Sequence, residues 1–81
     1  VMYEAGMLAR SKAGHDKAQM YIIKEVDDTY VYLVDGRIRT LGHPKKKKKK
    51  HVQIVHGIYN MKELDDAGIR KLIKDWMKEE K

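Results

Sequence analysis

Six consecutive lysines, Lys45 to Lys50, stand in the middle of the chain in the segment HPKKKKKKHVQIV, directly before an alternating stretch that reads as a β-strand. Ammonium groups set side by side repel one another, and a block of like charge stays solvated or serves as a contact surface. Any fold open to this chain must keep residues 45–50 at its surface, as a basic bridge between elements, and draw its core from the stretches on either side. The run is only a cost unless something negative sits opposite it.

Charge elsewhere sharpens the point. From Arg37 to Lys62 there is no Asp or Glu, yet that stretch holds half of the eighteen basic residues. The remainder sets nine cations against twelve carboxylates, so a net charge of +6 describes a mildly acidic body with one strongly basic segment. Such segregation points to a polyanionic partner, with RNA or DNA ahead of anionic lipid. Lysines kept only for solubility are usually interspersed with acids.

The 81 residues allow one domain (residues 1–81) with a small core. Cysteine is absent, which excludes disulfides and thiolate metal sites. Apolar runs such as YVYLV are too short to span a bilayer, and no signal-peptide pattern opens the chain. A soluble, cytoplasmic protein is the expectation.

Periodicity predicts a mainly β architecture. GMLARS (Gly6 to Ser11) reads as a first strand, KAGHDK as a loop in which Gly14 supplies a positive φ, and MYIIKEVDD as a second strand ending in an Asp27-Asp28 turn. In TYVYLVDGRIRTL, Asp35-Gly36 between alternating runs predicts a type I′ hairpin. That register sets Val34 opposite Arg37, Leu33 opposite Ile38, Tyr32 opposite Arg39 and Val31 opposite Thr40. Val31, Leu33 and Ile38 then point inward, and Tyr30 and Tyr32 share the other face with Arg37 and Arg39. A last strand offers Val52, Ile54 and, after a kink, Ile58 to the core. Ile69, Leu72, Ile73, Trp76 and Met77 recur at helical spacing behind Asp65-Asp66 as N-terminal caps. Together these give a small β-barrel, residues 5–58, with an amphipathic helix over about 65–80.

Catalytic chemistry finds little support. There is no cysteine nucleophile, no G-x-S-x-G and no glycine-rich phosphate loop before a helix. Asp27, Asp28 and Asp35 fall at turns, where Asp serves local hydrogen bonds. His43, His51 and His56 lack metal-ligand spacing, so they read as surface residues of a basic segment. No enzymatic activity, metal or cofactor is expected. Tyr30 and Tyr32 have two readings: a platform on which unstacked bases lie, or a surface covered by the helix. The helical stripe around Trp76 needs something to bury against, which favours the second.

The order glycine, apolar strand, Ser-Lys-Ala-Gly loop, Asp-Lys, apolar strand in GMLARSKAGHDKAQMYIIKEVDD resembles the KOW motif of ribosomal proteins and transcription elongation factors. With VYLVDGRIRTL, the basic segment and the terminal helix, the chain is similar to single-domain KOW proteins related to archaeal and eukaryotic large-subunit ribosomal proteins. The loop glycine falls on Gly14 and the basic position on Lys17, while the glycine that often follows is Ala18 here. The resemblance implies an SH3-like barrel that binds structured RNA, ribosomal RNA foremost, with the first loop as a contact surface enlisting Arg10, Lys12, His15 and Lys17.

The resulting expectation is a ribosome-associated RNA-binding protein, monomeric when free, without a membrane role, and with ribosomal proteins as further neighbours. Lys45, Lys46, Lys47, Lys48, Lys49 and Lys50 with His51, Arg37 and Arg39 would hold phosphates, and replacing all six lysines by Gln should leave the fold intact. The alternative is a protein-interaction module whose tyrosines line a peptide groove or aromatic cage.

Overall fold

The structure, a computed structural model, describes residues 2–79, with side chains to residue 78. Within them lie strands β1 (Met7–Ser11), β2 (Met20–Val26), β3 (Tyr30–Val34), β4 (Lys45–Lys48) and β5 (Val52–Ile58), followed by helix α1 (Asp66–Glu79). All strand pairs are antiparallel, in the order β4-β3-β2-β1-β5.

Central strand β2 explains the layering. Met20, Tyr21, Ile22 and Ile23 are all buried, which an alternating strand achieves only if both faces of its sheet are covered. On one face Tyr21 and Ile23 pack with Ala9, Val31, Leu33 and Val52 inside the curl of the sheet. On the other, Met20 and Ile22 pack with Leu8 and Val34 beneath Ile69 and Ile73 of α1. The helix starts where its cap predicts: Asp65 Oδ1 accepts the backbone N–H of Gly68 at 2.7 Å. Residue 80, where the sequence places the helix end, is outside the described residues.

Outer strands β4 and β5 are joined only by a 3-10 turn, Lys49–His51. Edges of a flat five-stranded sheet lie roughly 19 Å apart, whereas four peptide steps reach at most about 14 Å. The sheet must therefore curl. Backbone bonds from Lys49 N–H to the Thr29 carbonyl (3.0 Å) and from Lys12 N–H to the His51 carbonyl (2.8 Å) bind the turn to both sides. No ladder joins β4 to β5 among the described residues, so the sheet is not closed.

The first loop bears out the reading of Gly14, whose φ is +88°. Ala18 has φ +74°, and no other non-glycine among the described residues has a positive φ. A left-handed alanine costs about 1–2 kcal/mol, of which glycine's greater unfolded-state freedom returns part. Ala18→Gly is accordingly expected to raise the unfolding free energy by roughly 0.5–1 kcal/mol. Urea titration checks this, and an unchanged or lower midpoint would mean that the position carries no strain.

Three expectations are corrected. The Asp35-Gly36 hairpin does not form: β3 pairs with the lysines, in the register Tyr30↔Lys48, Val31↔Lys47, Tyr32↔Lys46 and Leu33↔Lys45. Gly36 has the positive φ of such a turn, but Asp35 does not. Its carboxylate instead accepts the backbone N–H groups of Arg37 (2.9 Å) and Arg39 (3.0 Å), closing a wider loop. That loop is held by α1, through Arg70 Nη1 to the Gly36 carbonyl (2.6 Å) and Leu41 N–H to Asp66 Oδ1 (2.8 Å). Ile38, expected inward, is consequently 84% exposed.

The second correction concerns the basic bridge, which is an edge strand and a helical turn. The third concerns Ile58 and Met77, both exposed. Register shifts between β1 and β5 turn Ile58 outward and let Val55 and Tyr59 pack toward the helix instead. Met77 lies on the rim of the stripe rather than at its centre.

Candidate nucleic-acid interface

A lysine homopolymer has no pattern of its own, so pairing with β3 decides which way each side chain points. Lys45 and Lys47 take the inner face with Leu33 and Val31, whereas Lys46 and Lys48 take the outer face with Tyr32 and Tyr30. Alternation continues through the turn, where Lys49 is partly buried and Lys50 exposed.

The inward lysines meet Asp16. Lys47 Nζ lies 2.7 Å from Asp16 Oδ1 and Lys45 Nζ lies 3.2 Å from Oδ2. Ser11 Oγ donates to Oδ1 at 2.9 Å, and Tyr21 OH donates to Oδ2 at 2.8 Å. The Asp16 side chain is 12% exposed and that of Lys47 11%. Burial by itself would raise the carboxyl pKa, but donors from Lys47, Tyr21, Ser11 and Lys45 more than offset it and hold the group far below the ordinary carboxylate range. Burial, then the Asp16 carboxylate, pushes the Tyr21 phenol well above its usual value. This carboxylate is the residue that sequence reasoning missed. Its one signal was a lone acid among Arg10, Lys12, His15 and Lys17.

The consequence is assembly. Asp16 pins the loop between β1 and β2 to β4, and the Lys12–His51 backbone bond pins it to the turn. In that pinned loop Lys12, His15 and Lys17 are exposed; on the strand and turn Lys46, Lys48 and Lys50 are exposed and His51 is partly buried. Lys49 turns back, donating to the Asp28 carbonyl at 3.1 Å, while Tyr3 OH donates to the Lys49 carbonyl at 3.0 Å. Lys48 and Lys50 carry no ion pair among the described residues.

Tyr30 and Tyr32 are not covered by α1, whose partners are Leu8, Met20, Ile22 and Val34. Nor do they sit opposite Arg37 and Arg39. Lys46 Nζ stands 4.2 Å from the centroid of the Tyr30 ring, a cation–π contact. Tyr32 OH donates to Asp27 Oδ2 at 2.8 Å, and Asp27 Oδ1 accepts from Tyr30 N–H at 2.7 Å. Those bonds, that from Tyr30 first, lower the Asp27 pKa, and exposed Glu25, paired with Tyr32 across the ladder, is a second carboxylate on this face. Arg10 lies on β1 on the helix-side face, partly buried and engaged. Arg37 lines a groove against α1, and Arg39 closes the Asp35 loop through its backbone.

A lysine edge strand also resists pairing with a further strand, because an added chain would bring its backbone against a row of ammonium groups. Among the described residues no three metal-type ligands converge, and no helix is long and apolar enough to cross a membrane. Comparison with protein-family models and with curated proteins finds no match to this chain.

Proposed function

We propose that this protein binds structured RNA, ribosomal RNA foremost, on the surface that Asp16 assembles, and that its curled sheet is an SH3-like barrel of the KOW type. The observation that carries the reading is the clamp itself. A carboxylate uses two lysines of the run to pin a second basic segment, some thirty residues earlier in sequence, to the lysine strand, and three lysines of the run are left exposed. Lysine ammonium groups fix position on a phosphate backbone without reading sequence. The left-handed conformation of Ala18, where the KOW pattern often has glycine, supports the family resemblance. A cytoplasmic, ribosome-associated role and the absence of catalysis belong to the same proposal.

Dividing the run reduces its electrostatic weight. Three outward lysines on phosphates give a log–log salt slope of roughly −2 to −3, against −4 to −5 if all six took part. Lys45 and Lys47 belong to the fold, so replacing all six is no longer a clean test. The triple variant K46Q/K48Q/K50Q leaves Asp16 its partners and is expected to unfold at the same urea concentration. Its binding to a folded ribosomal RNA hairpin should lose roughly 2 to 3 from the salt slope. Affinity and slope unchanged in dilute buffer would remove the strand from the interface.

A further inference from the structure

A second basic surface lies against α1. Where the first loop ends, the Asp35–Arg37 turn and α1 enclose a groove of about 550 Å³, a size typical of sites that take a few apolar groups. Its floor is Met20 and Ile73, both buried, and Met77, which is 53% exposed although it belongs to the helix's apolar stripe. Its walls are basic. Arg70, Lys74 and Lys78 succeed one another at intervals of four along α1, and Arg37 stands across from them.

These cations are largely unspent. Lys71, on another side of the helix, pairs with Asp75 at 3.0 Å, whereas Lys74 and Lys78 have no ion pair among the described residues. Asp35 is the single carboxylate of the lining, and its Oδ1 already accepts the Arg37 and Arg39 N–H groups. An apolar trough walled by positive charge selects an occupant that is apolar along its centre and anionic at its flanks. No aromatic ring lines it, so it offers no stacking platform to a base. Methionines give instead a deformable apolar contact suited to protein side chains.

We infer that this groove docks an acidic segment of a partner protein, with a large apolar side chain seated over Ile73 and Met77 and flanking carboxylates on Arg37, Lys74 and Lys78. The protein would then hold RNA on the lysine strand and a protein on the helix side at once.

The test uses the whole chain labelled with 13C at its methionine methyls, since Met77 and Met20 lie in the groove and Met2, Met7 and Met61 do not. The probe is a peptide with a central Leu-Trp-Leu between runs of Glu; a control peptide carries Gln in place of Glu. The Met77 and Met20 signals should move saturably with the Glu peptide and at least tenfold more weakly with the Gln peptide. The charge-reversed variant K74E/K78E should lose at least tenfold in affinity for the Glu peptide while keeping the salt slope for the RNA hairpin. Four results would overturn the inference: no shift, equal shifts at Met2, a Met77 shift produced by the RNA hairpin but not by the peptide, or a Met77 shift that depends only on protein concentration. The third result would also bring RNA to the helix side; the other three leave the lysine-strand reading untouched, and the triple variant tests that reading separately.

Discussion

Asp16→Asn is expected to lower the unfolding free energy by about 3 kcal/mol, near the lower end of the cost of removing one partner from a buried ion pair. Asparagine keeps the shape and one acceptor but loses the charge and the second carboxylate oxygen. Lys45 and Lys47 are then left side by side with no counter-charge, and one of the Ser11 and Tyr21 hydroxyls faces an amide donor. A domain of 81 residues has a stability of about 4–12 kcal/mol, so the loss is a large share of the whole. Lys47→Met should cost less, because Asp16 retains Lys45, Tyr21 and Ser11 and the methionine fills the space of the stem. Because each single change breaks the same contact, the double variant should be less destabilised than the sum of the two. Urea unfolding of the four proteins measures the cycle, and a D16N change within about 0.5 kcal/mol, the range of an ordinary surface substitution, would reduce the clamp to a surface contact.

The same carboxylate sets an acid limb. Its pKa in the folded protein lies far below the unfolded value of about 3.9, so its stabilisation is present in full above that value. It is lost as the pH falls below about 4 toward the folded pKa, because the unfolded chain then binds the proton more readily. Wild-type stability should fall below pH 4 more steeply than that of D16N, and the two curves should converge in strong acid. Parallel curves would place the acid sensitivity elsewhere.

Legibility of the fold followed the range of the forces involved. Strands β1, β2 and β3, the loop at Gly14, the Asp27 turn and the helix cap rest on local pattern and local hydrogen bonds, and the structure has them where residue types put them. The lysine strand could not be seen, because six identical residues carry no alternation and lysine has no preference for strands. Its alternation is borrowed from Val31 and Leu33 across the ladder. The same residues dictated half of the candidate site: the run was visible, but its division into clamp and outward surface was not. Asp16 was hidden because an acid in a turn needs no distant partner to explain it. Ile38 and Met77 had the right phase for burial, yet the element that would cover each lies elsewhere.

Gly36→Ala should be strongly damaging, lowering stability by about 3–4 kcal/mol. Its φ is +78°, which costs a non-glycine residue about 1–2 kcal/mol. A Cβ there would also run into the Asp66 carbonyl and stand 2.9 Å from Arg70 Cγ, and forced overpacking adds roughly 1–3 kcal/mol. Asp66 cannot yield without releasing the first turn of α1, which also holds Leu41. Two other glycines separate these contributions. Gly14→Ala meets the conformational cost alone, since its nearest neighbours, Lys47 Nζ at 3.4 Å and Asp16 Oδ1 at 3.6 Å, are at ordinary distance or belong to a flexible side chain. Gly42→Ala meets neither, having open space and no left-handed φ, and should be neutral or slightly stabilising. The expected order of stability is Gly42→Ala above Gly14→Ala above Gly36→Ala. Emission from Trp76, the only tryptophan, should report the helix loosening in the last variant alone. If Gly14→Ala and Gly36→Ala proved equally costly, backbone conformation would account for both, and the close seating of the turn against the helix would not be what draws residues 36–41 away from the sheet.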